Sequence, residues 1–104
     1  MAERGRMRLL FRDPALDELR FGSVPRLKLP PEVVRSYQRK IQALAAAPDE
    51  RTLRNFKSFH YEKLRGDREG ERAIRLNDQW RLVFLLDSVQ SEPVITVLCI
   101  EDYH

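Results

Sequence analysis

Hydrophobic and polar positions divide the chain into a helical first half and a strand-rich second half. A short apolar run at residues 7–11 predicts a first strand. Asp13 and Pro14 follow it, a pair typical of a helix N-cap and the first helical position. Gly22 is placed to end this helix, because glycine is the usual residue just past a helix C-terminus. The sequence therefore predicts a strand followed by a short helix.

A second, longer helix is predicted from Pro31 to a stop at Pro48, with one more helical turn at residues 49–55. The spacing of its apolar side chains matches the helical period, so they share one face that would pack on a core. These side chains are Val34, Tyr37, Ile41, Leu44 and Ala45.

From Phe56 onward the pattern changes to that of strands. Runs rich in β-branched and aromatic residues predict strands at residues 59–64, 72–76, 80–86 and 94–100. Turn residues lie at 66–70, and a looser connection spans 88–93. An N-terminal strand, two helices and then consecutive antiparallel strands indicate an α+β fold. We expect the strand and the helix pair to pack on an antiparallel sheet of about four to five strands.

The residues Asn77-Asp78-Gln79 form a tight hairpin loop in this scheme, which fixes the register of the two strands that it joins. Arg75 then lies opposite Arg81 on the face away from the core. Like charges directly opposite each other are unfavourable, so something anionic should accompany the pair. Two sources remain open: a bound phosphate, or a local carboxylate of Glu62, Glu69 or Glu71. The opposite face, towards the core, would carry Ile74, Leu76, Trp80, Leu82 and Phe84.

Composition narrows the class of protein. The 104 residues fit one domain, residues 1–104, with a flexible polar tail at residues 1–6 and a possible alternative start at Met7. A net charge of +3 is compatible with an anionic partner without requiring one. The single cysteine, Cys99, excludes an internal disulfide and lies in an apolar run, so we expect a core residue and not a nucleophile. Since no segment is long and apolar enough to span a membrane, a cytoplasmic location is the default expectation.

The last four residues carry groups that can transfer protons. Glu101, Asp102, Tyr103 and His104 directly follow the apolar run of the last predicted strand. By composition alone, a polar chain end is the simpler interpretation. His60 is the other histidine, and a lone histidine on a strand is more often structural than catalytic.

Three segments taken together resemble the HigB toxins of the RelE/ParE superfamily. They are residues 62–70 (EKLRGDREG), 74–82 (IRLNDQWRL) and 101–104 (EDYH). The resemblance implies a RelE-like fold, with a site on the sheet face opposite the helix pair. It also implies a metal-independent endoribonuclease without cofactor that cleaves messenger RNA on the ribosome. The implied partners are a helix-turn-helix antitoxin, the ribosome and mRNA, with no membrane.

The same resemblance assigns candidate site residues. Arg65 and Arg81 would supply positive charge to the phosphate, and Asp102 and His104 would transfer protons, with their roles as acid and base left open. Tyr103 would stack on a base or position the phosphate. Additional RNA contacts would come from Arg75 and Lys63. Some relatives have a histidine where this chain has Glu62, which leaves the role of His60 open.

Two other functions remain compatible with these patterns. One is a ParE-like toxin that inhibits DNA gyrase and cuts no RNA. The other is a module that kept the fold and binds RNA or protein without catalysis.

Overall fold

The computed structural model describes residues 7–87 and 93–102. The predicted tail at residues 1–6, residues 88–92 of the last loop, and the candidate residues Tyr103 and His104 lie outside the described residues. The regular elements in chain order are β1 Arg8–Phe11, α1 Pro14–Leu19, α2 Pro31–Ala46, α3 Glu50–Asn55, β2 Glu62–Lys63, β3 Glu71–Arg75, β4 Trp80–Asp87 and β5 Val94–Asp102. Short 3₁₀ turns occupy Pro25–Leu27, Lys57–Phe59 and Gly66–Arg68.

The helices begin where the sequence predicts. The Asp13 carboxylate accepts a hydrogen bond of 2.9 Å from the Ala15 amide at the start of α1, and Asp49 does the same for the Thr52 amide of α3. Helix α2 ends at Ala46, and Ala47 is extended. A residue that precedes proline disfavours the helical conformation, so Pro48 explains this end.

The five strands form one sheet in the order β1-β5-β4-β3-β2. The β2–β3, β3–β4 and β4–β5 pairs are antiparallel, and β1 joins the edge as a parallel partner of β5. The predicted hairpin register is confirmed, since Arg75 lies opposite Arg81. The side chain of Asn77 sets this turn, because its Oδ1 accepts hydrogen bonds from the amides of Gln79 (2.9 Å) and Trp80 (2.8 Å).

A β-bulge interrupts the alternation of side chains in β5. Val83 pairs with Cys99, but the next residue, Phe84, pairs with Val97, so β5 carries one extra residue, Leu98. Beyond the bulge, Glu101 lies opposite Arg81. Asp102 lies opposite Trp80 and thus on the other face of the sheet.

The main core fills the space between the helices and one face of the sheet. The predicted core residues of the hairpin are confirmed: Ile74, Leu76, Leu82 and Phe84 are buried there, and Trp80 packs against them half-buried. From the helices come Leu16, Leu19, Val33, Tyr37, Ile41, Leu44 and Leu53. A smaller apolar cluster of Ala73, Val83 and Leu98 lies on the opposite face, where Cys99 packs half-buried as expected of a structural cysteine. Within the described ranges, we find no helix of the length and apolarity that crossing a bilayer requires.

The predicted strand at residues 59–64 is shorter than expected. Only Glu62–Lys63 pair with β3, because Lys57–Phe59 form a 3₁₀ turn that buries Phe59 in the core. His60 follows in the left-handed conformation, at φ 46°. This conformation turns the chain and is incompatible with a strand, so pairing starts two residues later.

Candidate active site on the open face of the sheet

The side chains that point away from the helices form what we call the open face, which includes Glu62, Ala73, Arg75, Arg81, Val83, Leu98, Cys99 and Glu101. Strand register sets this composition. Arg75, Arg81 and Glu101 lie side by side across β3, β4 and β5. Glu62 on β2 lies opposite Ala73. The open face therefore combines an apolar patch with a row of charged groups at the end of the sheet that carries the β3–β4 hairpin.

Arg81 is more enclosed than the two carboxylates of this row, with a side chain that is only 16% exposed against 25% for Glu101 and 54% for Glu62. Its Nε donates to Glu101 Oε2 at 2.8 Å, and its Nη2 lies 2.6 Å from the same oxygen. Its Nη1 lies 3.6 Å from Glu62 Oε1. The carboxylates of Glu101 and Glu62 thus lie beside the Arg75–Arg81 pair, and their negative charge offsets the repulsion between the two arginines that the sequence predicts. Of these two, only Glu62 was among the expected neighbours.

Glu101 is shared between two arginines. Arg68, on the turn between β2 and β3, donates to both of its oxygens, from Nη1 at 2.8 Å and from Nη2 at 3.0 Å. Arg68 also holds Glu71 through Nε at 2.9 Å. The hydrogen bonds from Arg68 and then Arg81 lower the pKa of the Glu101 carboxyl, although burial opposes them. Glu101 and Arg68 are therefore a fixed ion pair beside Arg81.

A small recess beside Arg81 brings His60 to the open face. Its walls are His60, Glu62, Ala73, Ile74, Arg75 and Arg81. Beside this recess Arg81 Nη1 lies 3.6 Å from Glu62 Oε1, and Arg75 lies opposite Arg81, so a carboxylate and guanidinium groups suited to a phosphate border the same space as His60. The sequence left the role of His60 open, and its place in the fold makes it a candidate.

Lys40 of α2 fixes the two segments that carry this recess. Its ammonium group donates to the carbonyl of Ser58 at 3.0 Å and to the carbonyl of Arg75 at 2.6 Å. Burial, followed by the charges of Arg39 and Arg75, lowers the pKa of Lys40. The helix layer is thus bonded directly to the end of β3 and to the turn that precedes His60.

Arg65 and Lys63 lie at the β2 edge, apart from this row. Both border an open cleft of about 630 Å³, together with Leu64, Gly66, Glu69, Gly70 and Arg72. Lys63 pairs with Arg72 across the strands, so its side chain leaves on the helix side, where its Nζ is 4.0 Å from Glu50 Oε2. Arg65 is exposed at the start of the turn. The two basic residues form a second positive area around the edge of the sheet.

Asp102 does not join the open face by register. Its partner Trp80 points into the core side, and its Oδ2 accepts a hydrogen bond of 2.7 Å from Gln79 Nε2. The carboxylate is exposed at the end of β5, beside the hairpin loop. Tyr103 and His104 lie outside the described residues, so their predicted roles stay predictions.

The structure brings together Arg75 and Arg81 from the predicted set and separates Lys63 and Asp102 from their face. It adds Arg68 and Glu101, neither of which was among the predicted site residues. These two are 33 positions apart, so no local spacing connects them. Among residues 7–87 and 93–102, no three histidine, cysteine, aspartate or glutamate side chains gather as metal ligands would.

The ion pairs of Glu101 predict a specific dependence of stability on pH. A carboxyl whose pKa is lowered in the folded state adds stability above its unfolded pKa, about 4.3 for glutamate, and that stability is lost as the pH falls through the folded pKa. Unfolding by urea at pH 7 and pH 3 should therefore show a smaller loss of stability in Glu101→Gln than in the unmodified chain. Equal losses would mean that the ion pairs contribute nothing in solution.

Comparisons with known proteins complete the description of this site. A family model described as the RelE-like toxin of type II toxin–antitoxin system HigB matches residues 10–104. No curated protein sequence matches the chain.

Solved structures share the fold. A YoeB/ParE toxin from Agrobacterium tumefaciens superposes with a TM-score of 0.61 at 17% identity, covering 94% of this chain and 100% of that one. YoeB in a heterotetrameric YoeB–YefM toxin–antitoxin complex from Staphylococcus aureus gives 0.55 at 19% identity, with coverages of 95% and 98%. At such low identity these structures establish a common fold and nothing finer.

Proposed function

The chain belongs to the RelE-like toxins of the HigB type II toxin–antitoxin system, and we propose that it is an endoribonuclease that cleaves mRNA on the ribosome. One observation carries the proposal. Arg75 and Arg81 face each other on the open face, and the exposed carboxylate of Glu62 lies 3.6 Å from Arg81 Nη1. This arrangement suits a reaction at a phosphate diester, in which negative charge grows on the phosphate oxygens.

The proposed reaction uses the RNA itself as nucleophile. The ribose 2′-oxygen bonds to the adjacent phosphorus as its proton leaves to a base, and the bond to the 5′-oxygen breaks as that oxygen takes a proton from an acid. The products are a cyclic 2′,3′-phosphate and a 5′-hydroxyl. Arg81 and Arg75 stabilise the phosphate oxygens, because a guanidinium group matches two oxygens at once. This chemistry needs no metal.

Proton transfer is assigned to a small set of groups. The family resemblance assigns it to Asp102 and His104, with Tyr103 positioning the phosphate or stacking on a base. Geometry adds Glu62, whose carboxylate is 54% exposed and lies 3.6 Å from Arg81 Nη1, within reach of a ligand bound there. Glu101 is a poorer proton acceptor, since Arg68 and Arg81 occupy its oxygens.

The cleft bordered by Lys63 and Arg65 extends the positive surface beyond the reaction centre. We assign to these residues contacts with the RNA backbone next to the cleaved bond, where positive charge raises affinity without reading sequence. The ribosome would present the mRNA in an extended conformation, so the protein itself need not bind free RNA tightly.

The proposal includes a partner that controls the toxin. A helix-turn-helix antitoxin of the HigA kind is expected to bind it, as YefM binds YoeB in the solved complex. Its ribosomal substrate places the action of the toxin in the cytoplasm. Co-expression with the antitoxin should restore growth.

Induction of this protein in bacteria without an antitoxin is expected to stop growth and to fragment translated mRNA within minutes. Sequencing of RNA 5′ ends should place the cuts inside coding regions, and a drug that blocks translation initiation should prevent them. Purified protein should cut an mRNA bound in a ribosome and leave the same mRNA intact without ribosomes. An exposed arginine outside the site, replaced in Arg51→Ala, is the matched control and should behave like the unmodified chain.

Different outcomes would support the alternatives. Growth arrest with intact mRNA and trapped gyrase–DNA complexes would indicate a ParE-like inhibitor. Normal growth with RNA binding but no cleavage would indicate a module without catalysis.

A further inference from the structure

One carboxylate connects the separate parts of the proposed site. Glu101 accepts two hydrogen bonds from Arg68 and one from Arg81, and its side chain is only 25% exposed. Such charge-assisted bonds with a guanidinium fork are short and directional, and they restrict both partners. Their enclosure makes them less sensitive to salt than surface ion pairs.

The elements that meet at Glu101 are those that carry the candidate residues. Arg68 ends the 3₁₀ turn that begins directly after Arg65. Arg81 is on β4, opposite Arg75. Glu101 itself directly precedes Asp102 at the end of β5. Replacing Glu101 would therefore change contacts in three segments that are distant in sequence: the turn that carries Arg68, strand β4 and the end of β5.

The contact also determines how Arg81 presents its guanidinium group. Nε donates to Glu101 Oε2 at 2.8 Å and Nη2 lies 2.6 Å from the same oxygen, so one edge of the planar group is held against β5. The remaining nitrogen, Nη1, is directed to Glu62 and the recess. An arginine side chain has several rotatable bonds, and fixing it before the substrate arrives removes that entropy loss from the reaction step.

We propose that Glu101 is a positioning residue for RNA cleavage, which orients Arg81 towards the scissile phosphate and, through Arg68, holds the turn that carries Arg65. The inference rests on the proposed ribonuclease function. Glu101 touches neither the substrate nor the reacting atoms in this scheme. Its negative charge reduces the attraction of the site for RNA, while its geometry accelerates the reaction.

This role gives opposite expectations for binding and for rate. In Glu101→Gln the side chain keeps its size, but the amide is neutral and cannot hold two guanidinium groups. We expect the single-turnover cleavage rate on a ribosome-bound mRNA to fall about 100-fold, since small displacements of a catalytic group have effects of that order. The half-saturating concentration should fall several-fold, because the site becomes more positive.

Two other roles for Glu101 predict different results. If the carboxylate competes with phosphate for Arg81, Glu101→Gln should cleave faster at low concentration and at least as fast at saturation. If Glu101 only stabilises the fold, the variant should melt at a lower temperature while its folded fraction keeps the original rate and half-saturating concentration. Either result would overturn the proposal.

A second variant and a spectroscopic measurement test the positioning role of Glu101 independently. Arg68→Lys keeps the charge but loses the two-pronged contact, and it should lower the rate less than Glu101→Gln with little change in binding. NMR of arginine Nε–H groups should show slowly exchanging signals for Arg68 and Arg81 that Glu101→Gln abolishes; their absence in the unmodified chain would contradict the positioning role. If the unmodified chain cleaves no RNA, the proposed function fails, whereas the NMR result still decides whether Glu101 fixes Arg81.

Discussion

Replacing Arg81 by alanine is expected to slow cleavage of ribosome-bound mRNA by about 10²–10³-fold, the usual effect of removing one donor that stabilises transition-state charge. The variant should remain folded. Arg81 is on the open face, outside the main core, and Glu101 keeps its two hydrogen bonds from Arg68 when Arg81 is removed. Single-turnover cleavage, together with thermal unfolding of the same sample, measures both quantities.

Matched variants separate the effect of the charge of Arg81 from the effect of its guanidinium geometry. Arg81→Lys keeps the positive charge but not the planar fork, so its rate should fall between those of the unmodified chain and Arg81→Ala. Arg51→Ala removes the same charge from an exposed position on α3 and should change nothing. A normal rate in Arg81→Ala would reduce the arginine pair to a surface feature, and an unfolded variant would make Arg81 structural.

Replacing His104 by alanine is expected to lower the cleavage rate by about 10²–10⁴-fold, the contribution typical of a group that transfers a proton in the transition state. His104 lies outside the described residues, so this expectation comes from the resemblance of residues 101–104 to the family. Folding should be unaffected, because among the residues that the structure describes the buried core lies between Met7 and Leu98. Cleavage rates across a pH series would show the loss of one ionisation.

Replacing the other histidine, His60, is the control for the His104 variant. His60 and His104 are the two histidines of the chain, and His60 borders the recess beside Arg81. We expect His60→Ala to have a small effect and added imidazole to restore part of the activity of His104→Ala. A large loss in His60→Ala with normal cleavage by His104→Ala would transfer the proton-transfer role to His60.

The parts of the fold that depend on residues close together in the sequence could be predicted from the sequence. The helix starts follow from Asp13 and Asp49, whose side chains bond to the first turn. The opposition of Arg75 and Arg81 follows from the hairpin loop, since the turn that Asn77 closes leaves only one register. These features are local, and local chemistry determines them.

Features that depend on distant contacts are not readable in this way. Sequence reasoning sought the partner of the arginine pair among nearby glutamates, whereas Glu101 arrives from the last strand. The apolar run at residues 94–100 gives no sign of a bulge. Regular alternation from Ile95, which faces the core, would place Asp102 on the open face and Glu101 on the core-facing side of the sheet. The left-handed conformation of His60 is equally hidden, because the contacts that accompany it, the burial of Phe59 in the core and the hydrogen bond from Lys40 to the Ser58 carbonyl, are long-range.

The bulge in β5 also determines where this strand can change in length. Leu98 and Cys99 both point to the open face, so deleting one of them restores regular alternation and leaves every later side chain on its present face. Deleting Ile100 instead would move Glu101 to the core side and bring Asp102 opposite Arg81. Losing one residue at the bulge would therefore keep Glu101 opposite Arg81. Losing Ile100, two positions beyond Leu98, would exchange the faces of Glu101 and Asp102.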